Sequence, residues 1–329
     1  MKIANQNKGL SSRTVAVSLV LSNLITYVAG VSIAGAMVGR RFDRRSPARR
    51  NAVAALDVAL LGRAAGQHHS LPISGKGMWI WQFDKAGRGD PGTIVRTATS
   101  LGLSHIFVWL GSSRSGAAGY KDLRRILPVA HAAGLKVIAW DFPYLDNVDA
   151  DLRRATLVLK GPIVGRERID GFAADVETAS EGTHLTRQGA RAYAAGLRRY
   201  SYGTYLILVP PRPNSYTLAF YPYNVLIPQF DAVAPMVYWG RESAVQATAR
   251  ALAYLGRFGK PVAPIGQAFD MGPEGGPKGA PSDLTVERFM QASESHSAVG
   301  VSFWSWQHTP MRLWYTIHSF PWPTGPARS

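Results

Sequence analysis

Cysteine is absent from all 329 positions, so there is no disulfide framework, no thiolate metal site and no cysteine nucleophile. Compartment stays open, because exported proteins need no disulfides. Acidic residues are scarce: 21 Asp and Glu stand against 37 Lys and Arg, a formal net charge of +16. No Gly-X-Y period or sustained heptad runs through the chain, which excludes collagen-like and coiled-coil proteins. With 46% hydrophobic and 18% charged side chains it is too apolar for disorder. The basic excess raises nucleic acid as a partner, and its distribution removes that class. Residues 1–50 hold nine Lys and Arg against Asp43 alone, half of the net charge. The rest is spread thinly, with no basic run interleaved with aromatics of the kind that grips a nucleic-acid strand.

Residues 14–39 contain no charged side chain, and this 26-residue run exceeds the ~20 residues that cross a bilayer as helix. Two readings compete for it. In one it is a cleaved signal peptide, with Lys2, Lys8 and Arg13 as basic leader and Ala34-Gly35-Ala36 as the cleavage site. In the other it is an uncleaved anchor, the expected partner being the membrane itself. Six Arg at positions 40–50 favour a cytoplasmic body by the positive-inside bias. The long leader and the small-residue site favour export, and we expect the body outside. Residues 41–76 read as a basic stalk and linker, with a helical stretch at 51–65. His68-His69 has no further ligand at helical spacing, so neither a metal nor a cofactor is expected. The body runs from 77 to 318, and 319–329 is a tail.

From residue 77 the pattern becomes short apolar runs alternating with longer amphipathic ones, as parallel strands with crossover helices require. The expected strands are 77–83, 105–110, 136–141, 170–175, 204–209, 232–238, 261–267 and 300–306. Helices are expected at 93–101, 121–133, 186–200, 243–258 and 285–295, with Gly102 and Gly134 placed for left-handed helix ends. Eight such units over about 240 residues predict an α/β fold of the (β/α)8 TIM-barrel class behind the N-terminal membrane or signal helix. A doubly wound open sheet is the alternative.

Residues 87–92 spell GRGDPG, a GxGxxG after a strand and before a helix, which is the form of a dinucleotide fingerprint. The acid that should close the second strand and hold a ribose is missing, since that strand ends in VWLG. Asp90-Pro91 reads instead as a helix cap followed by proline in the first turn.

In a (β/α)8 barrel the reactive groups stand at the C-terminal ends of strands. Those positions hold Asp84, Asp141, Asp175, Glu177, Tyr238, Trp239, Gln267, Asp270, Trp304, Trp306 and Gln307. Asp175 and Glu177 are two apart on one strand and so project to the same side. Two neighbouring carboxylates repel, so one keeps its proton while the other ionises, the division that acid-catalysed glycoside cleavage uses. The bland reading is a pair of salt bridges to rim arginines. Trp239, Trp304 and Trp306 are candidates for a floor under a sugar ring, with Trp304 and Trp306 expected on one face; the competing reading is core packing. Asp84, Asp141 and Asp270 are candidates for a second carboxylate across the cleft, and Asp141 has the simpler role of a cap before Pro143. Gly-rich residues 271–282 read as a loop over the barrel mouth.

Residues 169–177, IDGFAADVE, resemble the DGxDxDxE signature of family 18 chitinases and their relatives. Met236-Val237-Tyr238 is similar to that family's sixth-strand Met-x-Tyr, and Trp304 to its strand-8 Trp. The resemblance implies a general acid at Glu177, with Asp175 orienting a substrate N-acetyl group and Tyr238 bonding the same acetamide. Trp304 would floor the sugar subsite. Two positions depart from the pattern: Ala173 stands where the middle Asp belongs, and Trp239 replaces the Asp expected after Tyr238. Asp175-Val176-Glu177 with the late Trp306-Gln307 also resembles family 25 lysozymes, where Asp84 would stand in for a strand-1 acid. The expectation is a membrane-associated hydrolase of a cell-wall or surface polysaccharide. The alternative is a barrel that binds carbohydrate or serves as a scaffold without catalysis. The sequence names no protein partner.

Overall fold

The computed structural model describes residues 71–323. The expected membrane segment, residues 41–70 of the stalk and linker with His68-His69, and the end of the tail lie outside them; Gly75 and Lys76, expected in the linker, open the first strand. Among the described residues no helix is long and apolar enough to cross a membrane.

Eight strand units appear where alternation of pattern placed them. They are β1 (Gly75–Ile80), β2 (His105–Ser112), β3 (Lys136–Phe142), β4 (Gly171–Asp175), β5 (Tyr205–Val209), a sixth in two pieces, β6 (Ala232–Val233) and β7 (Met236–Val237), then β8 (Ile265–Gln267) and β9 (Gly300–Trp304). Every pairing is parallel, in the order β6-β5-β4-β3-β2-β1-β9-β8-β7. Pro235 divides the sixth strand because proline has no N–H to give the ladder. The two pieces close the sheet: Ala234 N–H donates to Leu208 O on one side, and Ile265 N–H donates to Pro235 O at 2.8 Å on the other. With no free edge the sheet is a barrel, and the open doubly wound alternative falls.

Between strands run α1 (Pro91–Ser100), α2 (Tyr120–Ala132), α3 (Val148–Leu159), α4 (Arg187–Tyr200), the short α5 (Ser215–Phe220) and α6 (Tyr223–Leu226), α7 (Ala244–Gly256), α8 (Asp283–Ser295) and α9 (Met311–Ser319). Six of these nine start at a side-chain cap, as Asp90 accepts from Thr93 N–H and Thr186 from Gly189 N–H, whereas α2, α6 and α9 have none. Gly102 and Gly134 have φ of +69° and +72°, the left-handed geometry that a helix end asks of glycine.

The two faces of each strand feed two cores. Inward side chains, among them Trp79, Phe107, Ile138, Trp140, Ala173, Ile207 and Ile265, fill the lumen. Trp79 lies flat on Phe107 at 4.0 Å and its indole N–H donates to Ser302 Oγ. Outward neighbours such as Ile80, Val108, Val137, Phe172 and Leu208 pack under the helices. This period-two division decides which strand-end residues face the mouth and which face the helical layer.

Candidate functional site

β4 carries Ala173 in the lumen, and the same parity brings Asp175 to the mouth. Asp175 is buried, and its Oδ1 has no hydrogen-bond partner. Burial pushes its carboxyl up to about 8, with the charges of Asp141 and Glu181 adding to the rise. Glu177, two residues on, is raised well above the usual carboxylate range by burial first, then by Asp175, Glu181 and Glu274. Among the described residues neither member of the pair joins an ion pair, so the salt-bridge alternative for them does not hold. The backbone beneath is fixed by Tyr221, whose buried hydroxyl donates to Val176 O at 2.7 Å.

Tyr238 follows β7 and packs at the edge of the lumen, edge-on to Phe269 at 5.3 Å. Its phenol is held well above its ordinary range by burial, with Asp175 and Glu177 as the next causes. The structure therefore gathers Asp175, Glu177 and Tyr238 into one electrostatic neighbourhood. Gln267 ends β8 beside Trp304 in register. Its carboxamide accepts from Gly240 N–H and donates to Phe269 O, which pins two loops at the mouth.

Trp304 joins an aromatic floor that the sequence reading did not assemble. It meets Trp140 at 5.5 Å and Trp79 at 5.9 Å, and stacks with Trp81 at 6.3 Å. Trp109 adjoins Trp140 at 6.5 Å. The signal for Trp81, Trp109 and Trp140 was in the chain: each lies two positions beyond an inward residue of its own strand. Glu181 and Glu274 were missed as well, because they come from loops that the fold brings to the acid pair.

Other expected site residues lie elsewhere. Asp141 has the opposite parity to Trp140 and points into the helical layer. It is fully buried there, held by Arg154 through Nε at 2.7 Å and Nη2 at 2.8 Å, while Asp151 takes a third guanidinium bond. Neither a cleft carboxylate nor a cap before Pro143 describes it. Trp239, of opposite parity to Tyr238, packs on Phe289 of α8. Trp306 does not share a face with Trp304: the chain leaves the sheet after Trp304, and Trp306 packs edge-on to Trp314 of α9. For both, core packing is the outcome. Asp270 accepts from Gly272 and Gly279 N–H groups and so shapes the Gly-rich loop. Asp84 is exposed, 4.0 Å from Lys85. Gln307 buries both amide atoms without a partner. Among the described residues no cluster of His, Asp or Glu is arranged for a metal ion.

This geometry can keep a proton on one carboxyl at neutral pH beside a second acid and a phenol, with indole rings at the same end of the barrel. No family model and no curated protein sequence matches the chain. Solved structures do match it in fold. An endo-beta-1,4-mannanase from Thermotoga petrophila aligns with TM-score 0.55 at 11% identity, covering 76% of each chain. A class V chitinase from Pseudomonas fluorescens aligns with TM-score 0.53 at 11% identity, covering 75% of this chain and 99% of that one. An endo-1,4-beta-mannanase from Rhizomucor miehei aligns with TM-score 0.54 at 12% identity over 71% and 86%. The fold is a glycoside-hydrolase-like (β/α)8 barrel. At these identities the likeness extends to the fold alone.

Proposed function

We propose that the protein is a glycoside hydrolase of a cell-wall or surface polysaccharide containing N-acetylated sugars, carried outside the cytoplasmic membrane by its N-terminal segment. One observation carries this reading: a buried acid pair at the C-terminal end of β4, free of ion pairs, with its carboxyls raised. A general acid must hold its proton at working pH and lie under the bond it cleaves, and such tuning is what separates it from an ordinary surface carboxylate.

In this reading Glu177 gives its proton to the glycosidic oxygen as the bond to the anomeric carbon breaks. Asp175 and Tyr238 hold the acetamide of the same sugar, whose carbonyl oxygen closes on the anomeric carbon from the opposite side. Water then opens that adduct and returns a proton to Glu177. Trp304, with the exposed Trp81, offers the flat apolar surface that sugar C–H faces require, and the buried Trp140 supports it from beneath. Ala173 lies in the lumen where the related signature has an acid, so nothing there shares a proton with Asp175; this favours the second reading, a barrel that binds glycan without cleaving it.

The test is Glu177→Gln in the full chain, assayed for reducing ends released from N-acetylglucosamine oligosaccharides and from isolated wall polysaccharide, with affinity measured by calorimetry. Loss of a general acid lowers turnover by about 100-fold or more and leaves affinity within about threefold. Unchanged turnover in the variant overturns the role of Glu177. Affinity without turnover in the unaltered protein establishes the binding-only reading.

A further inference from the structure

The GxGxxG segment that resembled a nucleotide fingerprint borders a cavity of about 650 Å³ between the ends of β1 and β2. Trp81 and Trp109 line it together with Arg88, Lys121 and Arg125 and the acids Asp84 and Asp122. Trp81 is 41% exposed and stacks with Trp304, so the indole surface over the lumen continues into this cavity. A chain lying on Trp304 therefore has a continuous path into it.

The charges in the cavity do not cancel. Its lining holds three cations, Arg88, Lys121 and Arg125, against two acids, of which Asp122 pairs with Arg125 at 3.5 Å while Asp84 lies 4.0 Å from the exposed Lys85. Arg125 also donates to Gly89 O at 2.8 Å, which commits it to the loop. Arg88 and Lys121 join no ion pair among the described residues, although the charge of Lys121 acts on the neighbouring Asp122 carboxyl. Arg88 has φ of +57° between two glycines that are also left-handed, a conformation that non-glycine residues adopt rarely and at some cost. Nothing in the loop's own hydrogen bonding uses the side chain that this conformation presents. Across the mouth the sign reverses, with Asp175, Glu177, Glu181 and Glu274 grouped near β4.

We infer that this cavity binds a sugar bearing an anionic substituent, so that the glycan is acidic and lies with its anionic residue on Arg88 and Lys121, away from the acid pair. Two cations beside two indole faces suit a ring with one negatively charged group. A carboxylate and a phosphate ester share that chemistry. The acidic cluster repels such a group from the cleavage point, which fixes the direction in which the chain enters. The inference rests on the glycan reading above and does not depend on turnover.

The test measures binding of three oligosaccharides of N-acetylglucosamine to the full chain by calorimetry: neutral, carboxylated at the primary alcohols, and phosphorylated there. The unaltered protein is expected to bind one anionic form at least tenfold tighter than the neutral form, and to lose most of that preference between about 50 and 300 mM salt. Whichever anion is preferred identifies the substituent. Arg88→Gly with Lys121→Gln, which keeps the left-handed turn accessible, should bring anionic affinity down to the neutral value without changing the latter. Lys121→Gln alone, at an exposed helix position, should give about half of the effect on a logarithmic scale. Equal binding of all three, or a preference that survives the double variant, overturns the inference while turnover lost only in Glu177→Gln leaves the hydrolase reading standing. Anionic preference without turnover upholds the inference and removes catalysis.

Discussion

A buried carboxylate with an unpartnered oxygen is an unfavourable group in this barrel. Asp175 has an unpartnered Oδ1 and a carboxyl raised to about 8, whereas an unfolded Asp titrates near 3.9. Between those values the folded chain binds the extra proton, so this site lowers stability as pH rises from about 4 to 8. Asp175→Asn is expected to stabilise the protein by about 1–3 kcal/mol at pH 7.5 and to add nothing near pH 3.5, where both states are protonated. Denaturant unfolding at the two values checks this, and a destabilised variant at pH 7.5 refutes it. The same substitution removes one cause of the raised Glu177, so any alkaline limb of residual activity moves to lower pH. Parity explains what the sequence made legible at this scale. Asp175, Glu177 and Trp304 follow the inward alternation of their strands. Asp141 and Trp239 are candidates by residue type alone, since alternation from Ile138 and Trp140, and from Tyr238, puts both on the outer face.

Elements are tied together where helix ends meet strand starts, below the barrel floor. His131 in the last turn of α2 bonds Glu167 through Nδ1 and Asp170 through Nε2 at 3.0 Å, and Asp170 also accepts from Val137 N–H of β3. Hydrogen bonding to Asp170 is the leading cause that raises the imidazole to about 9, above an unfolded value near 6.5. Its contribution is complete below about 6.5 and is lost as pH rises through 9. His131→Gln should therefore cost about 1 kcal/mol at pH 6, a figure reduced for the solvent around a quarter-exposed ring. By pH 9.5 the difference should vanish. Unfolding curves of both proteins across that range measure it; a gap that widens with pH would exclude the charged imidazole as its source. α1, α2, α4, α7 and α8, each with a clean apolar stripe, were legible to within two residues at either end. α3 was not, because Asp151 and Arg154 interrupt its buried face in order to enclose Asp141. A fold can hide a helix by burying an ion pair in it.

At the scale of the whole molecule, eight strands with period-two filling were readable, because each strand's pattern is local. The loops that converge on the mouth were not, since Glu181, Glu274 and Arg88 acquire their meaning only from closure of the sheet. Location follows a different logic, because the leader lies outside the described residues and speaks through composition alone. Six Arg after the apolar run favour retention of the body in the cytoplasm, where a wall polysaccharide is out of reach. An acidic cleft beside a cationic cavity is suited to an acidic glycan, and that favours the outer side. The two arguments give opposite results in one experiment: protease added to intact cells, followed by blotting for a tag placed after Ser329, with a cytosolic marker as control. We expect the body to be digested, or to be found in the medium without its first ~36 residues, as the small-residue cleavage site implies. Full protection with a sealed-cell control places the barrel inside, and the wall-polysaccharide substrate falls while the carboxylate arrangement remains to act on an intracellular glycan.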